Sequence, residues 1–170
     1  PSLLYLFHAL KAKNKDRKLL SDNQLQYICE KQNQIRKETG KLFTPKSNIY
    51  LHWRYRDNPI QTYTILTGEG WYVAAYKKKH KYFSELRIAE VIGSYNPKHK
   101  KLIKRHIAKL ALKQRCLFIT TAHRKLFTLR YYGDLGPILT TNDMTHSNEI
   151  NTKFNSVDRW EYEIGDLELF

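Results

Sequence analysis

The polar residues with the clearest chemical potential lie in a short turn that leads into a basic helix. The sequence there is Gly93-Ser94-Tyr95-Asn96-Pro97-Lys98-His99-Lys100-Lys101. Proline is favoured at the first helical position, so this pattern predicts a helix that begins near Pro97. The backbone N–H groups and the dipole at a helix start attract anions, and the neighbouring lysines add positive charge. The turn is therefore a place where phosphate groups could bind.

The charge of the whole chain also favours an anionic partner. Thirty Lys and Arg residues against sixteen Asp and Glu residues give a net charge of +14 and a pI of about 9.7. Residues 91–133 contain eleven Lys or Arg and no acidic residue. Nucleic acid, a phosphate-bearing cofactor and an acidic glycan or membrane surface all suit this charge. The alternative explanation is a basic chain from an organism with a lysine-rich proteome.

The sequence carries no zinc-finger pattern, helix-turn-helix spacing or aromatic-basic strand typical of RNA-binding domains. Composition thus predicts only non-specific electrostatic binding to a polymer. The tail from Asp158 onward holds five acids and one Arg, which would neutralise part of the basic surface.

Histidines and cysteines give no pattern typical of a metal site. His99 and His106 would share a helix face, but no carboxylate accompanies them, so we expect surface residues and no metal. Cys29 and Cys116 stand far apart, which argues against a disulfide framework and favours a reducing cytoplasm. Residues 1–10 lack the features of a signal peptide, and no apolar run reaches the roughly twenty residues that cross a bilayer.

Periodicity predicts a helix, then a meander of four antiparallel strands. Ser21 and Asp22 supply an N-cap signal for the helix, which Gly40 would end. Runs of β-branched and aromatic residues, separated by turn residues, predict strands at residues 49–56, 61–67, 71–76 and 82–92. The short connections favour antiparallel neighbours.

After Gly93 the pattern alternates between helix and strand. It predicts helices at 98–114 and 122–132 and strands at 116–121, 137–141 and 159–164. A strand, a crossover helix and a further strand require a parallel pair. The predicted fold class is α/β, with a mixed, mostly antiparallel sheet and helices on both faces. Residues 21–170 form one domain, and residues 1–20 are an N-terminal segment or linker.

This element order resembles the GNAT N-acetyltransferase fold. The segment Tyr131-Tyr132-Gly133-Asp134-Leu135-Gly136 is similar to a late aromatic signature of that superfamily. Two further segments resemble modules of bacterial GNAT-like proteins associated with cell-surface polysaccharide. They are Tyr50-Leu51-His52-Trp53-Arg54-Tyr55-Arg56-Asp57-Asn58-Pro59 and the final segment from Trp160 to Phe170, with Gly165-Asp166 inside it.

The resemblance implies a bacterial acyltransferase that moves an acetyl group from acetyl-CoA to an amine, with the amine of a sugar or cell-envelope precursor as one candidate acceptor. It implies direct attack on the thioester, with Tyr132 as the general acid and Glu90 as the base. The alternatives from the residues alone are a core aromatic for Tyr132 and a solvent-facing side chain for Glu90. Strand-edge amides near Val91 and Ile92 would hold the carbonyl oxygen.

The loop that binds the CoA pyrophosphate in that superfamily is glycine-rich. At the matching place this chain keeps Gly93 but lacks the second and third glycines. The candidates for cofactor binding by position are Val91, Ile92, Gly93, Ser94, Asn96, Lys98, His99 and Lys100. The alternative function is a non-catalytic basic domain of the same fold that binds nucleic acid or another anionic polymer on the basic helix face.

Overall fold

The computed structural model describes residues 19–123, 126–127 and 160–167 of the 170-residue chain. We number its elements in chain order. The helices are α1 (Asp22–Glu38), α2 (Asn48–Leu51), a π-helix (His52–Arg56), α3 (Pro97–Lys113) and the short α4 (Ile164–Leu167). The strands are β1 (Thr64–Gly68), β2 (Trp71–Lys79), β3 (Ser84–Ile92) and β4 (Phe118–Thr121).

Helix α1 begins where the sequence predicted it. Ser21 is the N-cap: its hydroxyl accepts a hydrogen bond from the N–H of Gln24, whose side chain returns a bond to the Ser21 backbone. This reciprocal capping satisfies two N–H groups that the helix itself leaves free. The helix ends before Gly40, which has φ of +66°. Its buried face includes two polar residues, Gln32 and Arg36, which reach the candidate site below.

The prediction of a strand at residues 49–56 is wrong, because this segment is helical. The Ser47 hydroxyl caps α2 by accepting a hydrogen bond from the N–H of Tyr50. Leu51 and Tyr55 are buried, whereas Ile49 and Trp53 are 75 % and 57 % exposed. In a strand all four side chains would share one face, whereas a helix separates the two pairs. The meander therefore has three strands, and these match the other three predicted runs.

The four strands form one mixed sheet in the order β1-β2-β3-β4. The pairs β1–β2 and β2–β3 are antiparallel, and β3–β4 is parallel, as the crossover through α3 predicted. The parallel ladder runs from Glu85–Phe118 to Ile88–Thr121. Strand β3 continues four residues beyond it to Ile92.

Helices cover both faces of the sheet, as predicted. One core cluster joins Val73, Leu86 and Ile88 to α3 through Ile103 and Ile107. The other cluster joins neighbouring strand residues, among them Tyr72, Ala74 and Ala89, to Leu25, Ile28 and Cys29 of α1 and to Leu51 and Tyr55. The expectation of surface histidines on α3 is wrong for His106, which is 3 % exposed and stacks on Trp71.

Two elements predicted after β4 are wrong in the parts that the structure describes. Ala122, His123, Leu126 and Phe127 belong to the helix predicted at 122–132, but they are not helical. A turn closes there instead, because the N–H of His123 bonds to the Thr121 hydroxyl. In the strand predicted at 159–164, Trp160 forms an isolated parallel bridge with Leu42 and Ile164 begins α4. The strand predicted at 137–141 lies outside the described residues.

Candidate functional site

The candidate site lies at the carboxyl ends of the two parallel strands. Their ladder ends at Ile88–Thr121, so β3 and β4 are not paired beyond that point. Ser94 follows the end of β3 by two residues, and His123 follows the end of β4 by two residues. Carboxyl ends of neighbouring parallel strands meet at one edge of a sheet, where α/β proteins commonly bind ligands. This arrangement brings the two side chains together.

Ser94, His123 and Glu163 form a continuous hydrogen-bonded chain. The Oγ of Ser94 lies 2.8 Å from Nε2 of His123. The other ring nitrogen, Nδ1, lies 2.9 Å from Oε1 of Glu163. A carboxylate only accepts hydrogen bonds, so Nδ1 of His123 carries the proton in this contact. In the neutral imidazole, Nε2 is then free to accept the proton of the Ser94 hydroxyl.

Arg36 fixes the carboxylate end of this chain from α1. Its Nη2 lies 3.1 Å from Oε1 of Glu163, and its Nε lies 3.2 Å from Oε1 of Glu161. Both Arg36 and Glu163 have side chains that are 1 % exposed. Burial opposes the charged guanidinium, but the nearby carboxylates, led by Glu90 and Glu163, outweigh it and raise the pKa of Arg36. Glu163 is therefore held in one orientation beside His123.

A second polar cluster lies beside the first and contains Glu90. Nζ of Lys46 is 3.0 Å from Oε2 of Glu90, and it also pairs with Asp166. The Tyr55 hydroxyl donates to the same Glu90 oxygen at 3.2 Å. Burial raises the pKa of Glu90 to about 7; Lys46 opposes the shift, and Glu163 and Asp166 add to it. Glu90 is completely buried, which excludes the alternative of a solvent-facing side chain.

Gly93 serves a backbone contact between the turn and the β1–β2 hairpin. It has φ of +83°, and a Cβ added there would lie 2.1 Å from the carbonyl oxygen of Gly70. Its N–H donates to Oε1 of Gln32 at 3.2 Å. Both the left-handed backbone and the close approach require glycine. The N–H and the Cα of Gly93 are therefore both in contact with other parts of the protein.

Two backbone N–H groups of the turn already have partners within the protein. Besides the engaged N–H of Gly93, the N–H of Lys98 bonds to the side chain of its own N-cap, Asn96, at 2.9 Å. Pro97 has no N–H. Side-chain charge remains: Lys98 is exposed and Lys100 is half-buried. A phosphate group bound at this turn would meet these two charged side chains.

The remaining predicted cofactor-binding residues are dispersed around the turn. Val91 and Ile92 are fully buried and belong to the core clusters on opposite faces of the sheet. The ring of His99 packs against Gly70, where an added Cβ would lie 2.5 Å from Cε1. Tyr132, the predicted general acid, lies outside the described residues.

An open cavity of about 350 Å³ adjoins the hairpin turn that supports Gly93. The first half of α1 forms one wall, and Glu69 and Gly70 of the β1–β2 turn form another. The lining residues from α1 and from the segment before it are uncharged: Leu20, Asn23, Gln24, Tyr27 and Ile28. It is large enough for part of a small organic ligand.

Sequence reasoning missed His123, Glu163, Arg36 and Lys46 as site residues. A signal existed for His123, because it follows a predicted strand by two residues, as Ser94 does. Glu163 lies 40 residues from His123 along the chain, and Arg36 lies 127 residues from Glu163. No local spacing connects residues at such separations.

No protein-family model, curated protein or solved structure matches the chain. Within the part of the chain that the structure describes, no group of His, Cys, Asp and Glu is arranged to hold a metal ion. No helix in that part combines the length and apolar character needed to cross a membrane.

Proposed function

We propose that this protein is an acyltransferase of GNAT-like architecture, which moves an acyl group from acyl-CoA to an amine. The observation that carries the proposal is the hydrogen-bonded pair of Ser94 and His123 at the edge where β3 and β4 cease to pair. Acyl transfer to an amine needs a proton acceptor beside the reacting carbonyl. Imidazole is the side chain best suited to that task near neutral pH.

In the proposed reaction the amine attacks the thioester carbon and gives up a proton as the tetrahedral intermediate forms and collapses. Nε2 of His123 accepts that proton, directly or through the Ser94 hydroxyl. Glu163 stabilises the resulting imidazolium, because its carboxylate already holds Nδ1. The C–S bond breaks, and the thiolate of CoA takes up the proton that His123 accepted, which returns the imidazole to its neutral form.

The acyl donor is a substrate that phosphate-binding side chains would orient. Lys98 and Lys100 stand in the first turn of α3, and neither takes part in an ion pair among the described residues. Their charges add to the positive end of the helix dipole. A single acyl-CoA would therefore bind through charge at this turn, with affinity that falls as salt rises.

The roles expected for Glu90 and Tyr132 stay predictions. Glu90 is enclosed by Lys46 and Tyr55, so a substrate amine would have to enter the interior to reach it. His123 is the more accessible proton acceptor, with a side chain that is 13 % exposed. Tyr132→Phe should lower turnover without weakening acyl-CoA binding if Tyr132 protonates the thiolate.

The test combines acetyl-CoA binding with CoA release in the presence of a panel of amines, including amino sugars. At a ligand concentration of 100 times Kd we expect stabilisation of about 2.7 kcal/mol, seen as a rise in melting temperature. Lys98→Gln with Lys100→Gln should weaken binding, and Lys113→Gln at the far end of α3 is the matched control. His123→Asn should lower CoA release at least about 100-fold. If acetyl-CoA causes no thermal shift and no amine in the panel causes CoA release, the proposal is rejected.

A second candidate function is binding of an anionic polymer along α3. Lys100 and Lys104 lie one turn apart on α3, and the charge of Lys100 adds to the larger effect of burial in lowering the pKa of Lys104. This helix face gains from neutralisation by phosphates. Salt-sensitive retention of DNA or RNA that Lys100→Gln with Lys104→Gln abolishes, together with no response to acetyl-CoA, would favour this function over acyl transfer.

A further inference from the structure

We propose that Ser94 is a nucleophile that carries the acyl group as a covalent ester, so that transfer proceeds in two steps in place of direct attack by the amine on the thioester. The nucleophile is inferred from the contacts of Ser94, His123 and Glu163 alone. Only the identity of the donor, acyl-CoA, rests on the function proposed above.

The three side chains have the connectivity of an activated serine. A weak nucleophile such as a hydroxyl needs a base within hydrogen-bond reach, and the base needs a third group that orients it. Here the hydroxyl-to-base distance is 2.8 Å and the base-to-carboxylate distance is 2.9 Å. The two contacts use opposite nitrogens of His123, Nε2 for Ser94 and Nδ1 for Glu163. This is the order required for proton transfer from the serine.

The orienting carboxylate is the most buried of the three groups. The Glu163 side chain is 1 % exposed, the His123 side chain is 13 % exposed and Ser94 is 9 % exposed. The carboxylate is thus shielded from water, which strengthens its interaction with an imidazolium. Ser94 and His123 keep a small accessible surface through which an acyl group can make contact.

The position of Ser94 between β3 and α3 favours charge development on a bound carbonyl. Gly93 makes the sharp turn out of the strand, and α3 begins three residues after Ser94. A tetrahedral oxyanion formed on Ser94 would lie near the positive end of this 17-residue helix. The role predicted for Ser94 from the sequence, as a ligand of the cofactor phosphate, suits it less well than that of a nucleophile, because its hydroxyl is already hydrogen-bonded to His123.

The chemical steps balance without any further reagent. Ser94 Oγ attacks the thioester carbonyl while its proton passes to Nε2 of His123. The C–S bond then breaks, and the thiolate leaves with that proton as free CoA. An amine next attacks the Ser94 ester, His123 takes the proton of the amine and returns it to Oγ, and the amide product departs. When no amine is present, water can take its place and release the free acid.

A hydrogen-bond chain that only ties the two strand ends to the C-terminal segment would show the same distances. Reactivity separates the two roles, because a structural serine has the low nucleophilicity of any alcohol. An activated serine reacts with fluorophosphonates and with activated esters, and a structural serine does not.

The experiment treats the full chain with a fluorophosphonate, with p-nitrophenyl acetate and, separately, with acetyl-CoA. Each reaction is quenched in acid and the modified residue is located by peptide mass spectrometry. We expect one adduct per chain, on Ser94, and none in Ser94→Ala. His123→Asn should slow modification by at least about 100-fold. Ser84→Ala, at the opposite end of β3, should react at the rate of the unmodified protein.

Ser94→Cys guards against a poorly folded alanine variant, since it keeps a nucleophile and should trap the acyl group as a thioester. Modification of a folded chain at other residues only, or none at all, overturns the nucleophile. If the fluorophosphonate and p-nitrophenyl acetate modify Ser94 but acetyl-CoA does not, the role of Ser94 as a nucleophile is supported and acyl-CoA is rejected as the donor. If Ser94→Ala turns over acetyl-CoA at an unchanged rate without an adduct, the acyltransferase stands and the nucleophile falls.

Discussion

Lys46 and Glu90 form an ion pair in the interior, with Nζ 3.0 Å from Oε2 and both side chains completely buried. Lys46 also pairs with Asp166 and lies over the ring of Tyr50, 4.6 Å from its centroid. Burial opposes its charge, yet Glu90 and Asp166 outweigh that effect and raise the pKa of Lys46. One ammonium group thus links the loop before α2, strand β3 and the C-terminal segment. The geometry of the neighbouring Ser94–His123–Glu163 chain depends on the position of that segment.

Lys46→Met should destabilise the protein strongly. The change leaves the Glu90 and Asp166 carboxylates without their cation, and breaking one side of a buried pair costs about 3–5 kcal/mol. Urea denaturation followed by circular dichroism measures the free energy of unfolding. Lys41→Met is the matched control, because Lys41 is exposed and the same change there should cost less than about 0.5 kcal/mol. Equal losses in the two variants would show that the pair contributes nothing specific.

Glu90 should make a contribution to stability that falls as pH rises from about 4.5 toward 7. Burial raises the pKa of Glu90 from its ordinary 4.5 to about 7. Between these values the folded state binds more protons than the unfolded state, so the free energy of unfolding decreases with increasing pH. The stabilisation by the protonated form is complete below 4.5 and lost above 7.

Glu90→Gln should remove this part of the pH dependence, because the amide does not titrate. Urea midpoints measured at several pH values from 4.5 to 8 would reveal a flatter profile than that of the unmodified protein. Glu38→Gln, which changes an exposed carboxylate at the end of α1, should leave the profile as it was. A profile that Glu90→Gln does not flatten would contradict the raised pKa.

The parts of the fold that local residues determine were predictable. The capping signal at Ser21, the proline at the start of α3 and three β-rich runs each act within a few residues. They gave the right element types, and the crossover rule gave the parallel pairing of β3 with β4. The prediction of a strand at residues 49–56 failed for a physical reason. Ile49, Leu51, Trp53 and Tyr55 alternate as in a strand, and only the cap at Ser47 favours a helix.

The candidate site was predictable only in its location. The sequence predicted that Ser94 follows the end of a strand, and the structure places it two residues after β3. Its partners His123 and Glu163 come from the end of another strand and from the C-terminal segment. Contacts between residues so far apart along the chain depend on how the sheet packs against α1, which local sequence patterns do not reveal. Arg36 illustrates the limit: a helix residue near a predicted C-terminus suggests a dipole contact, not a buried anchor for two glutamates.

The two thiols should differ in reactivity in the native protein. Burial, with a further contribution from Glu90, raises the pKa of Cys29 to about 12. At pH 8 only about one in ten thousand of these groups would be a thiolate, the reactive form. Cys116 also has a pKa raised mainly by burial, but it is 7 % exposed where Cys29 is 0 %. Iodoacetamide should therefore modify Cys116 first.

Peptide mass spectrometry would assign the modified thiol, and Cys116→Ser should remove the faster reaction. In guanidinium chloride both cysteines should react at similar rates, giving two modified groups per chain. Faster modification of Cys29 in the native state would contradict its burial between α1 and the sheet.

Gly93→Ala should destabilise the protein more than Gly40→Ala, although both glycines have positive φ. The two positions share the backbone strain, with φ of +83° and +66°. They differ in surroundings: a Cβ at 93 would lie 2.1 Å from the carbonyl oxygen of Gly70, whereas one at 40 has nothing within 4 Å. The strain alone costs about 1 kcal/mol. Overpacking should add about 1–3 kcal/mol at position 93.

The difference between the two variants isolates the contact between the turn and the hairpin. Urea denaturation would measure it, and a loss at 93 equal to that at 40 would show that the hairpin moves aside without cost. The comparison also bears on the site, because Ser94 adjoins Gly93. If the hairpin contact sets the direction of the turn, Gly93→Ala should slow fluorophosphonate labelling of Ser94 even where the chain remains folded, and Gly40→Ala should not.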